Sequence, residues 1–214
     1  MSEIIVRRYS PRLSSPLYIV GLSGPNELGR ITARRLVDRS KANLFIEFYN
    51  QHFPDHVVVT EDGTCRLLRY EIYESALTSP NLIIACGDPE ISLENVGGGY
   101  EALDELVMLG RSHGASNLIL VDAAPMADDG SIYTAATKMG LARSLERKGA
   151  KLIRDARLPG PAGAILGICR LHRLNAVGIF PTLAKPDDAE STADACLRLI
   201  ETQFGLSYPS QRSM

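Results

Sequence analysis

The chain has 214 residues, 45% hydrophobic and 22% charged, and its 23 Lys and Arg against 25 Asp and Glu give a formal charge of −2. That length supports one sizeable core, the near-balance of charge supplies no overall field for nucleic acid, and no apolar run approaches the roughly 20 residues that cross a bilayer. Cys65, Cys86, Cys169 and Cys196 show no C-x-x-C spacing, and the opening MSEIIVRRYSPRL lacks the apolar stretch of a signal peptide, so the expectation is a reduced, cytoplasmic protein.

Residues 1–15 read as an N-terminal arm carrying Arg7, Arg8 and Arg12. The first strand is expected at residues 17–20. Glycines follow it, and Asn26 is placed to cap a helix reaching Arg39 with Leu28, Ile31 and Leu36 inward. Arg30, Arg34 and Arg35 on that helix read as a solvated face. A strand at 43–48 precedes a hairpin of 57–60 and 65–74, for which Asp62-Gly63 supplies the turn. Another strand is expected at 82–86. Leu103, Leu106, Val107 and Gly110 share one face of a helix stopped by Gly114, and a strand at 118–121 runs into Asp122. Thr137 is placed to cap a third helix closed by Gly149, followed by a strand at 151–153.

Residues 158–183, LPGPAGAILGICRLHRLNAVGIFPTL, combine a breaker-rich turn, a small-residue helix and an apolar strand. Pro161 suits the first helical position, where its missing N–H costs nothing. Ala162, Gly163, Ala164 and Gly167 leave that helix nearly bare, which allows close packing on a neighbouring backbone before residues 176–180 return as a buried strand. Asp187 and Glu190 have the spacing of a capping box for a last helix that Gly205 ends. Apolar runs alternating with helical periods argue for the α/β class: a three-layer α/β/α sandwich with a mostly parallel sheet plus a β-hairpin, one domain at 16–205 and a tail at 206–214.

Candidate chemistry centres on the turn after the first strand. Gly21, Gly24, Asn26 and Gly29 lie where α/β proteins build phosphate-binding turns, and Asp122 ends a strand that can accompany such a site. Gly24 and Gly29 have P-loop spacing, but Arg30 and Ile31 stand where that chemistry needs Lys and Ser/Thr. A second anion candidate is the helix start at Gly160 and Gly163, beside its reading as a close-packed element. Asp88, Glu90, Asp122, Asp128 and Asp129 follow strands and can pair as acid and base or serve as turn residues and caps. His52 and His56 have a metal-ligand spacing that Pro54 interrupts, and no serine sits in a G-x-S-x-G elbow. These residues define no catalytic group, metal or cofactor.

Five segments in order, PLYIVGLSGPNELGRITARRLVD, PNLIIACGDPE, SNLILVDAAP, IYTAATKMGLARSLERKGAKL and GPAGAILGICRLHRLNAVGIFPTL, resemble the proteasome assembly chaperone 2 (PAC2) family in its archaeal and bacterial uncharacterised branch. The resemblance implies a sandwich similar to nucleoside phosphorylases and peptidyl-tRNA hydrolases, no known catalysis, no cofactor, and homo-oligomers that chaperone proteasome α subunits. Such chaperones dock through a C-terminal hydrophobic-Tyr-any tail. Here the sequence ends Gln211-Arg212-Ser213-Met214, with Tyr208 after Ser207, a departure from that pattern. The expected function is a non-enzymatic, oligomeric protein-interaction module. The alternative is a nucleotide- or nucleoside-binding enzyme using the glycine-rich turn.

Overall fold

Four strands with near-continuous apolar sequence form the centre of the fold in a computed structural model that describes residues 3–24, 26–88, 93, 98–124, 129–183, 185 and 188–209. They are β2 (Leu17–Gly21), β7 (Leu82–Gly87), β8 (Asn117–Val121) and β11 (Asn175–Pro181), paired in parallel in the order β7-β2-β8-β11. Their residues are buried almost throughout, which is why both faces of each strand are apolar. Antiparallel pairing extends the sheet on one side through β6 (Tyr70–Ser75), β3 (Asn43–Asn50) and β1 (Glu3–Arg7). On the other side β9 (Ile132–Ala136) runs antiparallel to β11, and β10 (Lys151–Leu152) follows β9 in parallel. The sheet is thus mixed, parallel at its centre.

Five helices cover it among the described residues. On one face α2 (Gly98–Ser112) and α4 (Gly160–Leu171) enclose Tyr18, Val20, Phe45, Phe48, Tyr70, Ile83, Leu120 and Phe180. On the other, α1 (Leu28–Ser40), α3 (Met139–Glu146) and α5 (Ala189–Phe204) enclose Ile19, Ile84, Ile119, Val177 and Ile179. Three layers result, as the alternation of segments predicts. Each large apolar side chain taken fully out of water contributes roughly 1.5–3 kcal/mol relative to exposure. Cys86, Cys169 and Cys196 sit in these layers, and burial pushes each thiol up to about 12.

The local differences from expectation have physical reasons. Part of the expected arm is β1, an edge strand too short to announce itself. The expected strand at 65–74 divides: β5 (Cys65–Leu67) pairs with β4 (Val57–Val59) in a separate hairpin, whereas β6 enters the main sheet. Asp62 accepts hydrogen bonds from Thr60 and Thr64, and Gly63, at φ 80°, closes the hairpin as its sequence indicates. Asn26 is exposed in a turn; Glu27, at φ 48°, is the residue that precedes α1. Thr137 accepts from the Ala176 N–H at 2.8 Å and so ties β9 to β11, leaving Lys138 to precede α3. Pro161 lies in the first turn of α4, and Gly205 closes α5 at φ 64°; Asp187 falls outside the described residues. The tail begins packed on the body, with Leu206 buried, Ser207 bridged to Ser79 and the Tyr208 hydroxyl donating to Glu201 at 2.6 Å. No helix among the described residues is long and apolar enough to cross a membrane.

Candidate functional site

Two regions of the sheet carry the polar groups with most scope for function. The first is the carboxyl end of the parallel centre, where β2, β7, β8 and β11 all stop. α1 approaches this end so closely that a Cβ on Gly29 would run into the Val121 and Leu22 backbones, and one on Gly21 into the Gly29 carbonyl and the Ala33 side chain. A Cβ on Gly24 would stand 2.6 Å from Asp122 Oδ1. Gly21, Gly24, Gly29 and Asp122 therefore meet in space, with Asn26 exposed beside them. Gly160 and Gly163 lie on the opposite face of the sheet at the start of α4; Gly160 takes φ 77°, and the space over Gly163 is filled by the Leu158 carbonyl. Gly167 faces open space, so of these two glycines only Gly163 marks a close backbone approach, while Ala162, Ile165, Ile168 and Cys169 are the residues that α4 buries.

Many of the N–H groups here are already engaged. Leu22 donates to Val121 O at 3.0 Å, Glu27 to Gly24 O at 2.9 Å, Ala123 to Asp122 Oδ1 at 2.8 Å and Ala124 to Pro181 O at 3.0 Å. The Ser23 hydroxyl donates to Gly87 O at 2.6 Å. Arg66, carried over from β5, donates to both carboxylate oxygens of Asp88, one of them at 3.0 Å. Tyr70 is fully buried beneath them; burial first, then the charges of Asp122 and Asp88, push its phenol up and keep it neutral. Asp129 belongs elsewhere. Hydrogen bonds from Lys151, the Ser131 N–H, Thr182 and Tyr133 hold its carboxyl well below the usual range just before β9. Glu90 and Asp128 lie outside the described residues. His52 packs its ring against Gly98 at the start of α2, and no group of His, Cys, Asp or Glu suited to a metal occurs among the described residues.

The second region is the wing formed by β1, β3 and β6, on the sheet face shared with α1. Glu47 of β3 receives Arg8 at 2.5 Å, Arg69 at 3.3 Å and the Tyr49 hydroxyl at 2.9 Å. Glu71 of β6 receives Arg69 at 2.6 Å, Arg34 of α1 at 2.5 Å and the Tyr73 hydroxyl at 2.8 Å. The two glutamate side chains are only 9% and 10% exposed and Arg69 only 19%, so the centre of the network is largely desolvated, and Arg8 and Arg34 reach it from the surface at 54% and 40% exposure. Burial alone would raise the Glu71 carboxyl, but Arg69, Tyr73 and Arg34 outweigh it and bring it down to about 2. The same balance, with Arg8 and Tyr49 as leading donors, lowers Glu47.

Sequence reasoning missed this network because Arg8 and Arg34 looked like arm and solvated face. Arg35 and Arg39 clamp α1 to Asp194 of α5 at 2.6 and 2.8 Å. One signal was present: glutamates interrupt both aromatic strands, Glu47 in NLFIEFYN and Glu71 and Glu74 in YEIYES. Beside the wing lie Ile4, Ile5 and Val6 of β1 and Val57, Val59 and Leu67 of the hairpin, six of the exposed large apolar side chains among the described residues. A cavity of about 290 Å³ between them is lined by Ile4, Tyr49, Phe53, His56 and Leu67.

A three-layer sandwich with a parallel centre and an antiparallel wing, and with its five sequence segments in order, defines the class of protein. The family model for PAC2 matches residues 18–212, and the chain belongs to the PAC2 family. An uncharacterised protein of Methanocaldococcus jannaschii, MJ1210, is 28% identical over 200 residues, covering 86% of this chain and 76% of that one. Among solved structures, Pyrococcus furiosus PbaB, an archaeal proteasome activator, superposes with a TM-score of 0.82 at 22% identity over 96% of this chain and 90% of its own. Pyrococcus furiosus PbaA, an archaeal homologue of proteasome-assembly chaperone, does so with 0.73 at 19% identity over 96% and 82%.

Proposed function

We propose that this chain is a proteasome-assembly-chaperone-like protein: a cytoplasmic, non-enzymatic, homo-oligomeric module whose partners are proteasome α subunits. The observation that carries the reading is membership of the PAC2 family over residues 18–212, joined to a fold shared over 96% of the chain with a protein described as a proteasome activator. The distribution of side chains supports it. Apolar residues left uncovered gather at the β1 edge and hairpin, and contiguous patches of that kind mark interaction surfaces. At the carboxyl end of the sheet, Asp88 is committed to Arg66, and Gly21 and Gly29 to the approach of α1.

Co-purification with tagged proteasome α subunits tests the reading. Stoichiometric capture of at least one α-subunit type is expected, and clean failure across several types overturns it. A ligand screen probes the enzymatic alternative at Gly21, Gly24, Asn26, Gly29 and Asp122. Nucleotides, nucleosides and phosphate at millimolar concentration are expected to leave the melting temperature unchanged; a rise would show that the chain binds a ligand, because binding to the native state alone stabilises by mass action.

A further inference from the structure

β1 has the sequence EIIVR and, among the described residues, bonds to β3 on one side only, at the outer edge of the sheet. Ile4, Ile5 and Val6 are 52%, 37% and 45% exposed. An open apolar edge of this kind is what soluble proteins normally cover or charge, because its free peptide groups template further pairing. The direction of those groups follows from the ladder. Arg8 N–H donates to Phe45 O at 2.9 Å, continuing the register in which Val6 faces Glu47 and Ile4 faces Tyr49. Backbone groups alternate along an antiparallel pair, so Val6 and Ile4 also turn theirs toward β3, whereas Glu3, Ile5 and Arg7 turn theirs to the open edge.

An incoming strand must therefore bond at residues 3, 5 and 7, and β1 itself meets that requirement. Laid antiparallel on a second copy and centred on Ile5, it sets Ile5 against Ile5, Glu3 against Arg7 and Ile4 against Val6. Apolar meets apolar and acid meets base at every position. A one-residue slip would oppose outward-turned to inward-turned peptide groups, and a two-residue slip would set Glu3 or Arg7 against Ile5. The surroundings agree: burial, then the negative charge of Glu3, pushes the neighbouring Glu105 carboxyl up, and Arg7 of a second copy would arrive beside that acidic pair.

We propose that two copies of this chain pair through their β1 edges, antiparallel about a two-fold axis at Ile5, joining their sheets into one. The pairing deepens the homo-oligomeric part of the function proposed above and rests on it. Such an interface is isologous, each copy offering the same patch.

Sedimentation of the full chain over a concentration series provides the test. An even-numbered assembly is expected. Arg7→Glu and Glu3→Arg each set like charges at both ends of the pairing and are expected to weaken it about 10- to 30-fold. The double variant Glu3→Arg/Arg7→Glu restores the opposite-sign pairs and is expected to recover wild-type association, a rescue that damaged folding would not give. Ile5→Cys in a Cys65→Ser background is expected to cross-link the dimer on oxidation, since hydrogen-bonded partners stand about 5.5 Å apart at Cα, within disulfide reach. A monomer at all concentrations, an odd-numbered assembly, indifference to both single reversals, or weakening without rescue would each overturn the pairing. The chain is tested alone, so failure to capture α subunits leaves this result standing, and failure here leaves capture to be judged separately.

Discussion

The carboxyl end of the parallel centre and the antiparallel wing solve opposite problems. At the first, backbone meets backbone: the initial turn of α1 presses on β2 and β8, and the tolerance is set by the absence of Cβ atoms at Gly21 and Gly29. In the wing, one sheet face carries two carboxylates and the Arg69 guanidinium at low exposure, and side chains set the tolerance. The difference teaches that a glycine spacing suggestive of phosphate binding also serves helix-to-strand approach, and that charges scattered along a sequence can converge on one desolvated network.

The sharpest way to break the comparison is to add one atom at the parallel centre. Gly29→Ala would drive a Cβ into the Val121 and Leu22 backbones, which have no rotamer with which to yield. A loss of about 3 kcal/mol is expected, at the upper end of overpacking costs, read as a lower denaturation midpoint with an unchanged slope. In the wing the matching change is Arg69→Met, which keeps volume but strips the cation shared by Glu47 and Glu71. About 2–3 kcal/mol should be lost by the same measurement, because two largely buried carboxylates lose a counter-charge. Adding Glu47→Gln and Glu71→Gln should return more than half of it. If Arg69→Met alone is neutral, the wing behaves as ordinary surface.

How well each region reads from the sequence follows from the same contrast. Residues 17–20, 82–86, 118–121 and 176–180 are legible as strands because parallel strands buried on both faces are continuously apolar. β1 and β9 are not: the first is exposed at all five positions, and the second, IYTAA, has only Thr134 buried, so neither presents an apolar run. The division between β5 and β6 is tertiary, since CRLLRYEIYES reads as one strand in sequence and pairing with β4 on one side of the break and with β3 and β7 on the other decides where it parts. The glycine turn with Asp122 reads as a cluster and is one in space. The wing network could not, because Arg8 lies 39 residues from Glu47 and Arg34 lies 37 from Glu71.

Acid provides a graded probe of the wing. Folding holds the Glu71 carboxyl at about 2, below its ordinary 4.5, so the unfolded chain takes up the proton first. The stabilisation is complete above about pH 4.5 and is lost as pH falls toward 2. About 2 kcal/mol is expected across that window after allowance for solvent reaching the network. Urea midpoints measured at half-unit pH steps should show this fall in the wild type and a shallower one in Glu71→Gln; identical slopes would place the acid sensitivity elsewhere.

The smallest expected effect has the opposite sign. Gly163 and Gly167 lie one turn apart on α4, yet the Leu158 carbonyl occupies the space over Gly163 while nothing stands within 4 Å of a Cβ at Gly167. Both lie inside the helix, where glycine is poorer than alanine because its backbone loses more freedom on folding. Gly167→Ala should therefore stabilise the chain by about 0.5–1 kcal/mol, seen as a higher denaturation midpoint, whereas Gly163→Ala should destabilise it. Destabilisation by Gly167→Ala would mean that another surface covers the exposed side of α4 in solution. A concentration-dependent loss would identify that surface as a second copy of the chain, and a concentration-independent one would place it within the same chain.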